Sequence, residues 1–179
     1  MALTRLGLNQ AINLASNVTG TLATGNGGTG ATSFSPGKVL QVVSSTFSTQ
    51  TDSSSTSFAD TGMSLSITPS STSSKILVFA NHTGLLKEAS NNAGEIQLGR
   101  TISGGSYSSI RVFDSNFARN NSTALNVVGG TATSCLDSPN TTSAITYKTR
   151  FRCDVTAASA VRVQQNNCVA SITAMEISA

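Results

Sequence analysis

One histidine is the only imidazole that this 179-residue chain offers for acid–base chemistry. His82 follows the apolar run from Ile76 to Ala80 and precedes Gly84. A serine hydrolase would use such a residue as its base, but no Gly-x-Ser-x-Gly elbow is present to carry a nucleophile. A lone histidine at a strand end is more often a hydrogen-bonded structural residue. We therefore expect no catalytic residues and no enzymatic activity.

Paired carboxylates are the next chemistry to consider, because a glycosidase holds two of them on either side of the scissile bond. Acidic residues at predicted loops and strand ends are Glu88, Glu95, Asp114 and Asp137. Any chain with eight acids allows two of them to meet in the fold by chance, and acids of this kind are usually exposed. We interpret all four as solvated surface acids.

The thiols give no clear site either. Cys135, Cys153 and Cys168 are odd in number and lack CxxC spacing, although Cys153 and Cys168 are placed so that they could lie on neighbouring strands. Small buried hydrophobes are the preferred interpretation. One histidine, scattered thiols and isolated acids offer no ligand spacing for a metal, so we expect neither metal nor other cofactor.

Two sequence patterns could in principle bind phosphate, but neither predicts a phosphate site. The glycines at positions 25, 27, 28 and 30 lack the Gly-Lys-Ser/Thr ending of a phosphate-binding loop. Lys148, Arg150 and Arg152 lie on one side of a predicted strand, where they could contact phosphate or an acidic glycan. A solvated strand face that discourages edge pairing is the preferred interpretation. Basic residues form no block with interleaved aromatics, so no nucleic-acid partner is expected.

Composition indicates which elements must position these side chains. Ser, Thr and Asn occupy 67 of the 179 positions, whereas charged residues make up 11% and aromatic residues 5%. Such a chain lacks the Glu, Lys, Arg and Ala that cover helix surfaces, which excludes a coiled coil or helical bundle. We expect an all-β protein.

Periodicity predicts about nine strands at roughly 10-residue spacing. The clearest alternation runs from Ile145 to Cys153, with Phe151 on the inward face. Further strands are predicted around 39–43, 63–67, 76–80, 96–98, 110–113, 125–128, 161–163 and 169–177. The predicted fold is an antiparallel β-sandwich of jelly-roll type.

The first 36 residues differ from the rest and are predicted to form an anchoring arm with a glycine-rich connection, leaving 37–179 as the head. The arm carries an apolar stripe that needs a partner, because a short isolated helix is marginal in water. We assign anchoring to Leu3, Leu6, Leu8, Ile12, Leu14 and Val18. No stretch approaches the roughly 20 apolar residues of a membrane span, and the N-terminus is a poor secretory signal, so neither membrane insertion nor a signal peptide is expected.

Several segments of the sequence resemble segments of a known class of proteins. Residues 13–22 (NLASNVTGTL) and 25–32 (GNGGTGAT) resemble an element of tail-fibre and other adhesive virion proteins of tailed bacteriophages, with Ala23 where that element often has Pro. Segments 64–78, 140–151 and 171–177 resemble the short β-sandwich heads of such proteins, especially from marine or cyanobacterial phages. The resemblance covers most of the chain in patches.

The resemblance implies a virion structural protein, assembled as a homotrimer, whose N-terminal arm attaches to tail or capsid proteins. Two positions in the particle remain open. In one, the chain is a short tail fibre whose head serves host attachment by binding a surface glycan or protein. In the other, it is a capsid decoration or head-fibre protein bound to the shell. No receptor-binding residue is assigned.

Overall fold

A computed structural model describes residues 38–119, 126–127, 129–154 and 160–178; of residues 126–127 it describes the backbone alone. The described part of the chain forms twelve β-strands. They are β1 (Val39–Phe47), β2 (Thr51–Ser53), β3 (Ala59–Ile67), β4 (Lys75–Thr83), β5 (Leu86–Lys87), β6 (Gly94–Ile102), β7 (Ser108–Phe117), β8 (Asn126–Val127), β9 (Gly130–Asp137), β10 (Ile145–Cys153), β11 (Val161–Val163) and β12 (Ala170–Ile177).

The eight longer strands form two four-stranded sheets that pack face to face. The first sheet has the order β1-β12-β4-β9 and the second the order β3-β10-β6-β7, and every pair of neighbours is antiparallel. Successive long strands thus alternate between the two sheets, except for the hairpin β6–β7 within the second sheet, which is the jelly-roll arrangement. The predicted all-β sandwich is confirmed.

Strand β10 illustrates how the sequence pattern becomes the core. Its side chains alternate between fully buried and half-buried along all nine residues, with Tyr147 and Phe151 on the buried side. Both rings are inaccessible to solvent, as the alternation predicted for Phe151. The main core cluster adds apolar side chains from both sheets, including Leu65, Ile76, Val78, Leu98, Ile145 and Ile172.

A third, small sheet closes one end of the sandwich. Its order is β2-β11-β5-β8, and each of its strands comes from a connection between the two large sheets. Val161 and Val163 of β11 are fully buried and pack with Leu85, Phe117 and Phe151 in a second apolar cluster. We call this small sheet the closing sheet, because it joins one short strand from each of four connections between the large sheets.

The opposite end of the sandwich is where the described chain enters and leaves. The amide of Ser178 donates a hydrogen bond to the carbonyl of Lys38, over 2.7 Å. Val39 and Ile177 are paired nearby, next to Lys75 at the start of β4. Lys38 and Ser178 therefore lie at one end of the sandwich and the closing sheet at the other.

Candidate interface on an uncharged sheet face

The six side chains assigned to anchoring, Leu3, Leu6, Leu8, Ile12, Leu14 and Val18, lie outside the described residues, and their role stays a prediction. Within the described part of the chain no helix is long and apolar enough to cross a membrane. The candidate sites that follow all belong to the head.

His82 lies inside the sandwich and is fully buried. Its Nε2 is 2.8 Å from the Thr149 hydroxyl, and the Gln164 side-chain amide donates to its Nδ1 over 2.7 Å. Burial lowers the pKa of His82 to about 4, so the ring is neutral at pH 7. With both ring nitrogens engaged and no exposure, the ring offers no open position to a substrate.

The acids expected at the surface are mostly held by arginines. Glu95 accepts from Arg152 over 2.6 Å, and Glu88 pairs with Arg162. Asp114 is half-buried within β7, where its carboxylate accepts a hydrogen bond from the backbone N–H of Asn116.

For Asp137 the surface interpretation is wrong. It is only 8% exposed and lies between the sheets, where Arg100 pairs with it and the Tyr147 hydroxyl donates to it over 2.7 Å. Burial raises the pKa of Tyr147 well above its usual range, and the hydrogen bond to Asp137 adds to that shift. Sequence spacing could not reveal this contact, because its members come from three strands.

The basic side chains of β10 line the outer face of the second sheet and are also paired. Lys148 and Arg150 both bind Asp60, each over 2.8 Å. Burial opposes ionisation of Asp60, but the two hydrogen bonds outweigh it and hold the pKa of this carboxyl below its usual value. The Arg150 guanidinium also lies 4.7 Å from the centroid of the Tyr107 ring. This face is charged, and its three β10 cations are paired with two carboxylates, Asp60 and Glu95.

Cys135, Cys153 and Cys168 form no disulfide with one another. Cys135 and Cys153 are buried and Cys168 is half-buried, so the pairing of Cys153 with Cys168 that the sequence left open does not occur in this structure. Among the described residues no three His, Cys, Asp or Glu side chains are grouped to hold a metal ion.

The outer face of the first sheet has the opposite character. Its strand register aligns outward side chains in three rows that each cross all four strands. We call these twelve positions the uncharged face, because none carries a formal charge. The rows are Val42, Met175, Leu77, Leu136; Ser44, Thr173, Phe79, Ser134; and Thr46, Ser171, Asn81, Ala132.

The first row of the uncharged face is entirely apolar. Val42 and Leu136, at its two ends, are 55% and 56% exposed. Among the described residues seven large apolar side chains are exposed, and five of them lie on strands of this sheet: Val39, Leu40, Val42, Phe79 and Leu136. Val42, Phe79 and Leu136 of this set belong to the uncharged face, and neighbouring exposed apolar side chains of this kind indicate an interaction site.

A shallow depression of about 230 Å³ lies in the half of this face nearer the closing sheet. Phe79 forms one wall, while the short side chains of Ala132, Ser171 and Thr173 leave the space open. Asn81 contributes an amide at its margin. The combination of one aromatic ring, small residues and hydroxyls can receive a side chain of another protein molecule.

Sequence reasoning did not identify the uncharged face, because its rows join residues separated by up to 133 positions along the chain, as with Val42 and Met175. The one signal in the sequence was that few charged residues occur in the segments that become β1, β4, β9 and β12. Comparison with protein-family models and with curated proteins finds no match to this chain.

Proposed function

We propose that this chain is a structural protein of a tailed-bacteriophage particle: a short trimeric tail fibre that attaches through its N-terminal arm and displays its β-sandwich head for adhesion to the host surface. The proposal starts from the resemblance of residues 13–32 and of three head segments to such proteins. The head supports it in two further respects, the placement of its ends and the chemistry of its side chains.

The observation that carries the proposal is that Lys38 and the closing sheet lie at opposite ends of the head. Lys38, where residues 1–37 join the described chain, hydrogen-bonds Ser178 at the end opposite the closing sheet. The closing sheet thus lies at the end of the head away from Lys38 and Ser178, where another molecule can contact it. Display modules need this separation between the attached end and the presented end.

The chemistry of the head also favours display. His82 is buried and neutral, and the acids Glu88, Glu95 and Asp137 are occupied by arginines. Polar side chains on the uncharged face are hydroxyls and amides, which equivalent copies can bring together around a symmetry axis without repulsion. These features suit a repeated structural part.

Capsid decoration is the second candidate. Between the N-terminal segment and the head the sequence contains no long stalk repeat, which favours a protein whose head sits close to a shell. The same arm and head would then serve attachment to the capsid, and the head would need no receptor. The two candidates differ in what the exposed head contacts.

Fab fragments raised against the purified protein test the tail-fibre proposal. We expect them to bind intact particles and to block adsorption to host cells. Fab fragments against the major capsid protein serve as the control and should leave adsorption unchanged. Binding without any block of adsorption would favour capsid decoration, and failure to bind any particle would refute both candidates.

A further inference from the structure

We propose that the uncharged face binds a second copy of this chain. The inference deepens the proposed function by naming the contact between subunits. It rests on that function only for the number of subunits in the complex, which is three. Self-association through this face can be true or false whether or not the protein is part of a phage.

The first argument is the amount of apolar surface. The row Val42, Met175, Leu77 and Leu136 crosses all four strands, a distance of roughly 14 Å at the usual strand spacing. Phe79, 43% exposed, extends the apolar surface into the next row. Removing these side chains from water would stabilise a complex at about 25 cal/mol per Å² of apolar area.

The second argument is the size of the face. Four strands and three rows, each row two residues along the strand, give a footprint of roughly 20 by 20 Å, about 400 Å² before its corrugation is counted. Stable interfaces bury about 800 Å² of accessible surface on each partner. The uncharged face can therefore supply about half of one such interface, and its margins the remainder.

The third argument selects a second copy rather than a different partner. A different partner is commonly selected by complementary charges, which steer the encounter and exclude wrong partners. None of the twelve positions carries such a charge; the nearest charged side chain on the outer side of these strands is Lys75, at the start of β4. By contrast, the outer face of the second sheet carries Asp60, Lys148 and Arg150.

The fourth argument is the self-complementarity of the polar rows. Symmetry brings a residue close to copies of its neighbours or of itself, where like charges would repel. A hydroxyl both donates and accepts hydrogen bonds, so Ser and Thr can pair with identical groups. Ser or Thr occupies five of the eight positions in the second and third rows: Ser44, Ser134, Thr46, Ser171 and Thr173.

Leu136→Glu in the full chain is the direct test. Leu136 is exposed on β9, an edge strand, so the change places a charge in the proposed contact without burying it in the monomer. We expect light scattering to give the wild type a mass that is a multiple of 18.3 kDa. The variant should raise the dissociation constant at least about tenfold, as a charge placed within an apolar contact does.

Val112→Glu is the matched control, because Val112 is 48% exposed on β7 of the other sheet. It should leave the mass of the wild-type complex unchanged. Leu136→Ala, which keeps the surface neutral, provides a second variant should the glutamate impair folding, and it should weaken association in the same direction.

A wild-type full chain that stays monomeric at tens of micromolar would overturn the inference. A complex unaffected by Leu136→Glu and Leu136→Ala, or one disrupted only by Val112→Glu, would overturn it equally. These outcomes are separate from the fate of the proposed function, which depends on binding to particles and on adsorption.

Discussion

The imidazole of His82 and the hydroxyl of Thr149 form a 2.8 Å hydrogen bond that joins the two sheets through the interior of the sandwich. His82 belongs to β4 and Thr149 to β10. Thr149 in turn lies 2.6 Å from the Thr61 hydroxyl of β3, and Gln164 completes the chain on the other side of the ring. Polar residues in a core are stable when their hydrogen bonds are made in this way.

This buried ring predicts a loss of stability in mild acid. The unfolded chain binds a proton near pH 6.5 and the folded chain only near pH 4, so the free energy of unfolding should fall as the pH drops from about 6.5 to 4. The full loss is about 3 kcal/mol. Urea denaturation at several pH values between 7 and 5 measures it.

His82→Gln is the control for this assignment, because the chain contains no other histidine. We expect the variant to be less stable at pH 7 but to show a much flatter pH dependence between 6.5 and 5. Equal slopes in the variant and the wild type would show that another group is responsible.

Glu176 predicts a second pH effect, at lower pH. Burial alone would raise its pKa, but hydrogen bonds from Ser70 and Gln41 outweigh burial and lower the pKa to about 2. The stabilisation is fully present above pH 4.5 and is lost as the pH falls towards 2. Glu176→Gln should cost about 1–3 kcal/mol at pH 7, because an amide cannot accept all these bonds.

The Glu176 prediction is checked by denaturation of the variant and the wild type at pH 7 and pH 3. The difference between the two proteins should be smaller at pH 3, where the unfolded chain already binds the proton. A constant difference would contradict the assigned role of the carboxylate.

Gly94 predicts a steric effect on the second apolar cluster. It lies directly opposite Phe117, whose ring occupies the space that a Cβ at position 94 would fill. Gly94→Ala should therefore destabilise the head by about 1–3 kcal/mol through overpacking. Thermal or urea unfolding measures the loss.

A double-mutant cycle separates this clash from a general backbone effect. In the Phe117→Leu background the added methyl group has more room, so Gly94→Ala should cost less than in the wild type. Costs that simply add would show that the ring and the glycine do not interact.

The sequence predicted the fold where one face of a strand is apolar. For β10 the predicted bounds, Ile145 to Cys153, are those observed, and β11 was also placed correctly. Strand β9 was missed, because Gly129 and Gly130 suggested a turn and its inward positions Thr131 and Thr133 are polar. Alternation cannot reveal a strand whose inner face carries hydroxyls.

Contacts between strands that are distant in sequence could not be predicted from the hydrophobic periodicity. Asp137 and Glu176 are buried only because Arg100, Tyr147, Gln41 and Ser70 reach them from other elements. The uncharged face likewise exists only once β1, β12, β4 and β9 lie side by side in register. The order of strands in a sheet depends on the whole chain, whereas periodicity reports on one strand at a time.

Quantitative mass spectrometry of purified particles, with the major capsid protein as the internal standard, tests the central claim most directly. A short trimeric tail fibre predicts a few dozen copies or fewer in each particle, in a multiple of three. Hundreds of copies would contradict the tail-fibre account and favour capsid decoration, and absence from particles would contradict a structural role altogether.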